Sequence, residues 1–203
     1  MSMIQPIVEG YGEVEAVPRM IHTIAINMGI SHIKVGEPIR RKRSEFCNEE
    51  RFLRAVKLAC LKPECSAIIA LCDADDDCPK DLGPRIRKWL EGSAMNKACS
   101  VVLPKREFEA WFLASMGTLK GYCGIHNTKS VRDPETIRDA KGELERRMPE
   151  NRSYHEKIDQ KALVKATDWS LVYSRTRSGR KLIEDMRRLF SSMGYQPNTW
   201  PKT

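Results

Sequence analysis

The stretch "CSAIIALCDAD", residues 65–75, decides the fold. It begins with a continuous run of apolar and β-branched residues and ends abruptly in aspartates. A strand that is buried on both faces of a parallel sheet has this composition. Apolar runs also occur in "MIQPIVEG" (3–10) and "ACSVVLPK" (98–105), and "SHIKVGEPIRRK" (31–42) indicates a further extended segment. The sequence therefore predicts four strands.

Helical segments separate these strands. In "EVEAVPRMIHTIAINMG" (13–29) the apolar residues recur at helical spacing, and we predict further helices in residues 48–62, 80–96 and 106–116. Strict alternation of strands and helices is typical of α/β folds, in which each helix crosses over to a parallel neighbouring strand. We predict an α/β fold with an open, mostly parallel, Rossmann-like sheet and helices on both faces.

The pattern changes near residue 117. A loop rich in glycine and polar residues follows, and residues 134–148, 159–169 and 178–194 then have helical character. We expect two parts, an α/β core in residues 1–116 and a C-terminal helical extension in residues 117–203 that packs on the core.

Composition limits the class of protein. The chain has 203 residues, of which 41% are hydrophobic and 31% charged, and this balance predicts a globular protein. No apolar run approaches the roughly 20 residues that span a bilayer, and no signal peptide is evident, so we expect a cytoplasmic protein without membrane contact.

The net charge of +8 is unevenly distributed along the chain. Residues 141–203 hold 14 Lys and Arg against 8 Asp and Glu, a difference of +6. A basic part beside an acidic cluster suggests a polyanion held next to a cation. A basic surface that only favours solubility is the alternative.

Acidic residues follow three of the predicted strands. The carboxyl ends of parallel strands share one edge of a sheet, where ligands bind. We therefore expect five carboxylates on that edge: Glu9, Asp73, Asp75, Glu107 and Glu109. The last two have an alternative role, since they could complement the positive end of the helix that follows.

The first two aspartates of "DADDD" are two positions apart. In an extended segment residues i and i+2 face the same side, so Asp73 and Asp75 would converge on one cation. Carboxylate oxygens suit Mg²⁺ or Mn²⁺, and no cysteine pair has the spacing of a zinc site. Asp76 and Asp77 would be further ligands, or would cap the next helix or face solvent.

Two basic runs could bind phosphates without reading a base sequence. The first, "IRRKRSEF" (39–46), contains Arg40, Arg41, Lys42 and Arg43, and the second, "YSRTRSGRK" (173–181), contains Arg175, Arg177 and Arg180. The alternative for the first run is a solvated loop, and the alternative for the second is a surface that binds a partner protein.

The segments "VEGYGE" (8–13) and "DADDD" (73–77) resemble the Toprim domain. That domain has a glutamate after its first strand and a D-x-D motif after its third, and Glu9, Asp73 and Asp75 match this pattern. It occurs in topoisomerases, primases, recombination proteins and nucleases of the overcoming-lysogenization-defect (OLD) type.

The segment "REFEAWFLAS" (106–115) resembles the H-E-F-E-A-L-L-F signature of an uncharacterised Toprim-like bacterial family, the domain of unknown function numbered 4276. Arg106 stands where that signature has histidine. "DPETIRDAKGEL" (133–144) is similar to a P-E-T-A-P-S-K-R-L stretch of the family and places Lys141 on its lysine, although the Pro-Ser of that stretch is missing here.

The resemblance implies a Toprim-like sheet and Mg²⁺-dependent cleavage of phosphodiester bonds in nucleic acid. Glu9 would be the general base or a metal ligand, and Asp73 and Asp75 would bind the metal. Glu107 and Glu109 would support them, and Glu13 is available for a second metal. Lys141 would contact nucleic acid. An ATPase is often encoded beside members of the family, which is suspected in phage defence, so an anti-phage effector with an ATPase partner is implied.

Two other functions fit the same residues. The chain could be a non-catalytic or regulatory subunit that works only within a complex with an ATPase, or an enzyme of RNA maturation. The sequence leaves open whether the substrate is DNA or RNA, and whether the protein is a homo-oligomer.

Overall fold

The computed structural model of the protein describes residues 2–202. In that range one parallel sheet is formed by five strands: β1 (Met3–Val8), β2 (Lys34–Val35), β3 (Ile39–Arg40), β4 (Cys65–Leu71) and β5 (Ala98–Val102). The strand order is β2-β1-β4-β5, and β3 also pairs with β1. Every pairing is parallel, so the predicted α/β fold with an open parallel sheet is confirmed.

The extended segment predicted at residues 31–42 is two short strands. β2 pairs with the start of β1 and β3 with its end. Pro38 lies between them and has no N–H to donate to a strand ladder. The side-chain amide of Gln5 donates instead to the carbonyl oxygen of Glu37, at 2.7 Å, and this bond ties the interruption to β1.

Nine α-helices occur in residues 2–202, and none of these helices combines the length and the apolar character that crossing a bilayer would require. Their bounds are α1 (Tyr11–Asn27), α2 (Arg43–Phe46), α3 (Glu49–Cys60), α4 (Pro79–Ser93), α5 (Ala110–Ala114), α6 (Ala140–Glu145), α7 (Glu156–Ala166), α8 (Trp169–Arg175) and α9 (Arg177–Ser192).

Side chains of β4 alternate between two apolar cores. Ile69 and Leu71 belong to the core that contains α1 and α9, and Ile68 and Ala70 belong to the core that contains α3 and α4. This alternation follows from the two-residue period of a strand. The apolar run at residues 65–71 is therefore buried on both faces, as its composition predicts.

The helices after residue 117 share the larger core with the sheet. Trp111 of α5 donates its indole N–H to Ser178 Oγ at 2.8 Å, and its ring lies 5.9 Å from that of Trp169 between centroids. Helix α7 packs along α1, and α9 packs on β5. The division at residues 116 and 117 stays a prediction.

Aspartates interrupt two of the helices predicted in the C-terminal part. Asp139 accepts a 2.9 Å hydrogen bond from the backbone N–H of Gly142, so α6 begins at Ala140 and the chain before it is not helical apart from a short 3₁₀ turn. Asp168 accepts from the backbone of Ser170 at 2.9 Å and begins α8. Aspartate favours these cap positions because its carboxylate satisfies free N–H groups.

Candidate active site

A cavity of about 260 Å³ lies at the carboxyl ends of β1, β3 and β4. Its walls carry carboxylates and cations in nearly equal number. The acidic side chains are Glu9, Glu13, Asp73, Glu109 and Glu156. The basic side chains are Arg40, Lys42, Arg43 and Lys141.

Three of the predicted acidic residues meet in this cavity. Glu9 directly follows β1, Asp73 lies two residues beyond β4, and Glu109 directly precedes α5. They lie up to 100 residues apart in the sequence, and the parallel sheet brings them to one edge. The prediction that acids after the strands lie at one edge of the sheet therefore holds for the positions of these three side chains.

Glu13 is 3% exposed and lines the cavity. Its Oε2 atom accepts hydrogen bonds from the backbone N–H groups of Glu9 at 2.8 Å and Gly10 at 3.1 Å. Glu13 therefore fixes the turn between β1 and α1. A glutamate three positions after a helix cap is a sequence signal for this role.

Glu109 is fully buried. Its Oε1 atom accepts from the hydroxyl group of Tyr154 at 2.8 Å and from the amide of Gln160 at 3.4 Å. Its Oε2 atom is buried without a hydrogen-bond partner, as are Oδ1 of Asp73 and Oε2 of Glu9. A buried carboxylate without a partner is unfavourable, so a proton or a cation bound to these oxygen atoms would stabilise them.

Burial raises the pKa of four acids of the cavity, which we call the interior acids: Glu9, Glu13, Asp73 and Glu109. It raises the pKa of Glu13 to about 8 and that of Glu109 to about 7. The pKa of Asp73 lies well above its ordinary value because of burial and the charges of Glu13 and Glu109. The pKa of Glu9 is also raised by burial, although the nearby Arg43 opposes the shift.

Asp75 does not line the cavity. The expected extended segment ends at Ala74, because Asp75 adopts a positive φ of 49° and begins a turn. Its Oδ2 atom lies 3.1 Å from Nε of Arg43, and the side chain is 53% exposed. The expectation that Asp73 and Asp75 face the same side is therefore wrong, and only Asp73 lines the cavity.

Glu107 also lies outside the cavity lining. Its Oε2 atom accepts a 3.0 Å hydrogen bond from the backbone N–H of Lys141, in the first turn of α6. Glu107 complements the positive end of a helix, as the alternative interpretation proposed, but the helix is α6 and not the one that directly follows it.

The first basic run borders the cavity. The guanidinium group of Arg40 lies 3.7 Å from the ring centroid of Tyr11 at the cavity wall, and Lys42 and Arg43 line it as well. Arg41 donates to the carbonyl oxygen of Arg40 at 2.8 Å and does not line it. Three of the four predicted residues of this run are thus near the interior acids.

Lys141 joins the helical extension to the cavity. Its Nζ atom lies 2.6 Å from Oε1 of Glu156. Burial alone would lower the pKa of Lys141, but the charges of Glu109 and Glu156 outweigh burial and raise that pKa above its ordinary value. Lys141 is therefore held in its charged form beside Glu109.

The second basic run, in residues 173–181, contributes none of its predicted residues to the cavity lining. Arg175 donates to the carbonyl oxygen of Ala114 at 2.6 Å and to Ser130 Oγ at 2.8 Å, contacts that hold a loop in place. Arg180 lies over the ring of Tyr173, 5.5 Å from its centroid. Neither these two residues nor Arg177 line the cavity.

The interior acids do not form a metal coordination shell as they stand. Among residues 2–202, no three His, Cys, Asp or Glu side chains are arranged so that they could hold a metal ion. The unpaired atoms of Glu9, Asp73 and Glu109 are nevertheless hard oxygen donors, the type that Mg²⁺ and Mn²⁺ prefer. Their chemistry fits such a cation.

Fold and cavity define an α/β protein with a carboxylate-rich, partly basic site at the carboxyl edge of a parallel sheet. The model of the family described as "Domain of unknown function (DUF4276)" matches residues 8–187. The chain belongs to this family. No curated protein and no solved structure matches the chain.

Proposed function

We propose that the protein is a metal-dependent nuclease of the Toprim type that uses Mg²⁺ or Mn²⁺ to cleave phosphodiester bonds of DNA or RNA in the cytoplasm. One observation carries the proposal. Three carboxylates with unpaired buried oxygen atoms, on Glu9, Asp73 and Glu109, share a cavity with four basic side chains. Carboxylates suited to a cation beside cations suited to a phosphate are the two halves of such a site.

Glu9, Asp73 and Glu109 would hold the cation. The bound cation would supply charge that polarises a phosphate oxygen and activates water. Its charge would also oppose the effect of burial and of the charges of Glu13 and Glu109, which raise the pKa of Asp73. Glu9 lines the cavity with its side chain 21% exposed, and it would accept a proton from an attacking water.

The cavity cations would contact the substrate backbone. Lys42 and Arg43 come from one wall, and Lys141 comes from the helical extension on the other. Cations that neutralise phosphates bind without regard to base sequence. We therefore propose a substrate chosen by its backbone and not by its bases.

A regulatory subunit that works with an ATPase is the second candidate. The absence of a preformed set of three metal ligands in residues 2–202 favours it, as does the pairing of Asp75 with Arg43. In this case the cavity would bind an anionic group without cleaving it. The role in phage defence that the family resemblance implies is compatible with either candidate.

Cleavage assays test the proposal. The purified protein is incubated with plasmid DNA, single-stranded DNA or RNA, each with Mg²⁺, Mn²⁺ or EDTA. We expect metal-dependent cleavage of at least one substrate, its loss in Asp73→Asn, and its retention in Asp76→Asn. Asp76 is the matched control because it belongs to the same loop but pairs with Arg106. A folded wild-type protein that cleaves nothing would reject the nuclease and favour the regulatory subunit.

A further inference from the structure

The aspartates of the acid loop, residues 73–77, have different partners. Asp73 faces the cavity. Asp75 and Asp77 form ion pairs with Arg43, and Asp76 forms one with Arg106. The charge of the loop outside the cavity is thus balanced by arginine.

Arg43 is held at almost all of its donors. A guanidinium group has five N–H donors in a planar fork. Its Nη2 atom donates to the carbonyl oxygen of Ala74 at 3.1 Å and to the carboxylate of Asp77. Its Nη1 atom donates to the carbonyl oxygen of Asp73, and its Nε atom faces Asp75.

One N–H group of Nη1 remains available. Nη1 lies 4.0 Å from Oε2 of Glu9, too far for a hydrogen bond, and Arg43 lines the cavity with its side chain 22% exposed. The remaining donor is therefore at the edge where the unpaired oxygen atoms of Glu9 and Asp73 lie. An arginine fixed in this way loses little conformational entropy when it binds an anion.

We propose that Asp75 and Asp77 are positioning residues, which hold Arg43 so that its remaining Nη1–H contacts a non-bridging oxygen of the phosphate in the cavity. In this arrangement Arg43 is a catalytic residue that touches the substrate phosphate, and Asp75 is not a metal ligand. The identity of the ligand as a phosphodiester rests on the proposed function. The orientation of Arg43 rests only on its contacts.

The neighbouring arginine provides a contrast. Arg106 donates to the carbonyl oxygen of Asp75 at 3.2 Å and pairs with Asp76, so it holds the same loop from another side. It does not line the cavity. Removing the charge of Asp76 therefore changes the loop without releasing Arg43.

Two binding measurements test the assignment. Titration calorimetry gives the affinity for inorganic phosphate, in Mg²⁺ and again in EDTA, and electron paramagnetic resonance gives the affinity for Mn²⁺ alone. The variants are Asp75→Asn, Asp77→Asn, Arg43→Lys, the double variant Arg43→Lys/Asp75→Asn and the ligand variant Asp73→Asn. Asp76→Asn is the control, and Asp77→Asn replaces Asp75→Asn where the latter fails to fold.

We expect Asp75→Asn and Arg43→Lys each to weaken phosphate binding by about tenfold, the value of one charge-assisted hydrogen bond. The double variant should be weaker than either single variant by no more than about twofold, because the two residues act through one contact. Asp75→Asn should keep its Mn²⁺ affinity within about threefold, whereas Asp73→Asn loses it. Asp76→Asn should bind phosphate as the wild type does.

Three results would overturn the assignment: loss of Mn²⁺ binding in Asp75→Asn to the extent seen in Asp73→Asn, unchanged phosphate affinity in Arg43→Lys, or no phosphate binding by the wild type. Failure of the proposed function is separate. A wild type that binds no Mn²⁺ rejects the metal-dependent nuclease, while the phosphate titrations in EDTA still decide the role of Arg43.

Discussion

The hydroxyl group of Tyr154 donates a 2.8 Å hydrogen bond to Oε1 of Glu109, the fully buried acid of the cavity. Tyr154 precedes α7, and Glu109 precedes α5. The helical extension thus supplies a hydrogen-bond donor to a carboxylate that the sheet edge alone would leave unsatisfied.

Replacing Tyr154 by phenylalanine should lower the free energy of unfolding by about 1–2 kcal/mol, because Glu109 loses its best donor in a buried place. Chemical denaturation in EDTA at neutral pH measures the change. Tyr173→Phe is the matched control, since its hydroxyl group bonds to Glu184 at 3.2 Å on the surface and its loss should change little. Equal effects in both variants would show that burial of Glu109 does not depend on this bond.

Asp73→Asn should make the metal-free protein more stable by about 1 kcal/mol at a mildly alkaline pH, because it removes one of several repelling buried acids. The stability gain and the loss of metal binding would come from the same substitution, which is typical of a functional site. Thermal and chemical denaturation in EDTA check this, with Glu150→Gln in an exposed turn as the control. A less stable Asp73→Asn variant would show that Asp73 supports the fold through its charge.

The sequence predicts the sheet and part of the cavity for physical reasons. Apolar runs mark the strands because both faces of a parallel sheet are buried, and acids after three of those strands are expected at one edge. Glu9, Asp73 and Glu109 follow from these two rules. The position of Asp75 does not, because a turn with a positive φ begins there, a conformation that is uncommon for residues other than glycine.

The sequence does not predict the contacts between residues that are distant along the chain. Arg43 meets the acid loop from 30 residues upstream. Glu109 accepts hydrogen bonds from Tyr154, which precedes α7, and from Gln160 within α7, a helix that shows only ordinary amphipathic spacing. Their residue types carry no motif of their own. The packing of α7 on α1 brings these two side chains to Glu109.

The stability of the metal-free protein should fall as the pH rises. The pKa of Glu13 is about 8 and that of Glu109 about 7, both above the roughly 4.3 of glutamate in an unfolded chain. The folded state therefore holds protons that the unfolded state releases, and stability is lost between about pH 5 and pH 8. Since one pKa unit corresponds to about 1.4 kcal/mol, we expect the free energy of unfolding to fall by several kcal/mol in EDTA across this range.

Glu13→Gln separates this effect from other titrations. Glutamine keeps an oxygen acceptor for the two backbone N–H groups but has no proton to lose, so the dependence of unfolding free energy on pH should become shallower. Mg²⁺ should reverse part of the loss in the wild type at high pH, since cation binding competes with protons. A wild type whose stability is constant from pH 5 to pH 8 would contradict the raised pKa values.

Gly12 sets the distance between α1 and the helix that brings the extension to the cavity. A Cβ atom at Gly12 would lie 2.3 Å from Oε1 of Gln160 and 2.7 Å from the backbone oxygen of Glu156. The backbone oxygen cannot move aside without moving α7. Gly12→Ala should therefore cost about 1–3 kcal/mol of stability, as overpacking does, and should weaken Mn²⁺ binding by displacing Gln160 from Glu109.

Gly92→Ala in α4 is the matched control for this substitution. No heavy atom would lie within 4 Å of a Cβ atom there, so alanine should stabilise the helix by about 0.5–1 kcal/mol through its higher helix propensity. Denaturation curves and Mn²⁺ titrations of both variants compare the two glycines directly. If Gly12→Ala were as stable as Gly92→Ala and bound Mn²⁺ as the wild type does, the close packing of α7 on α1 would have no part in forming the site.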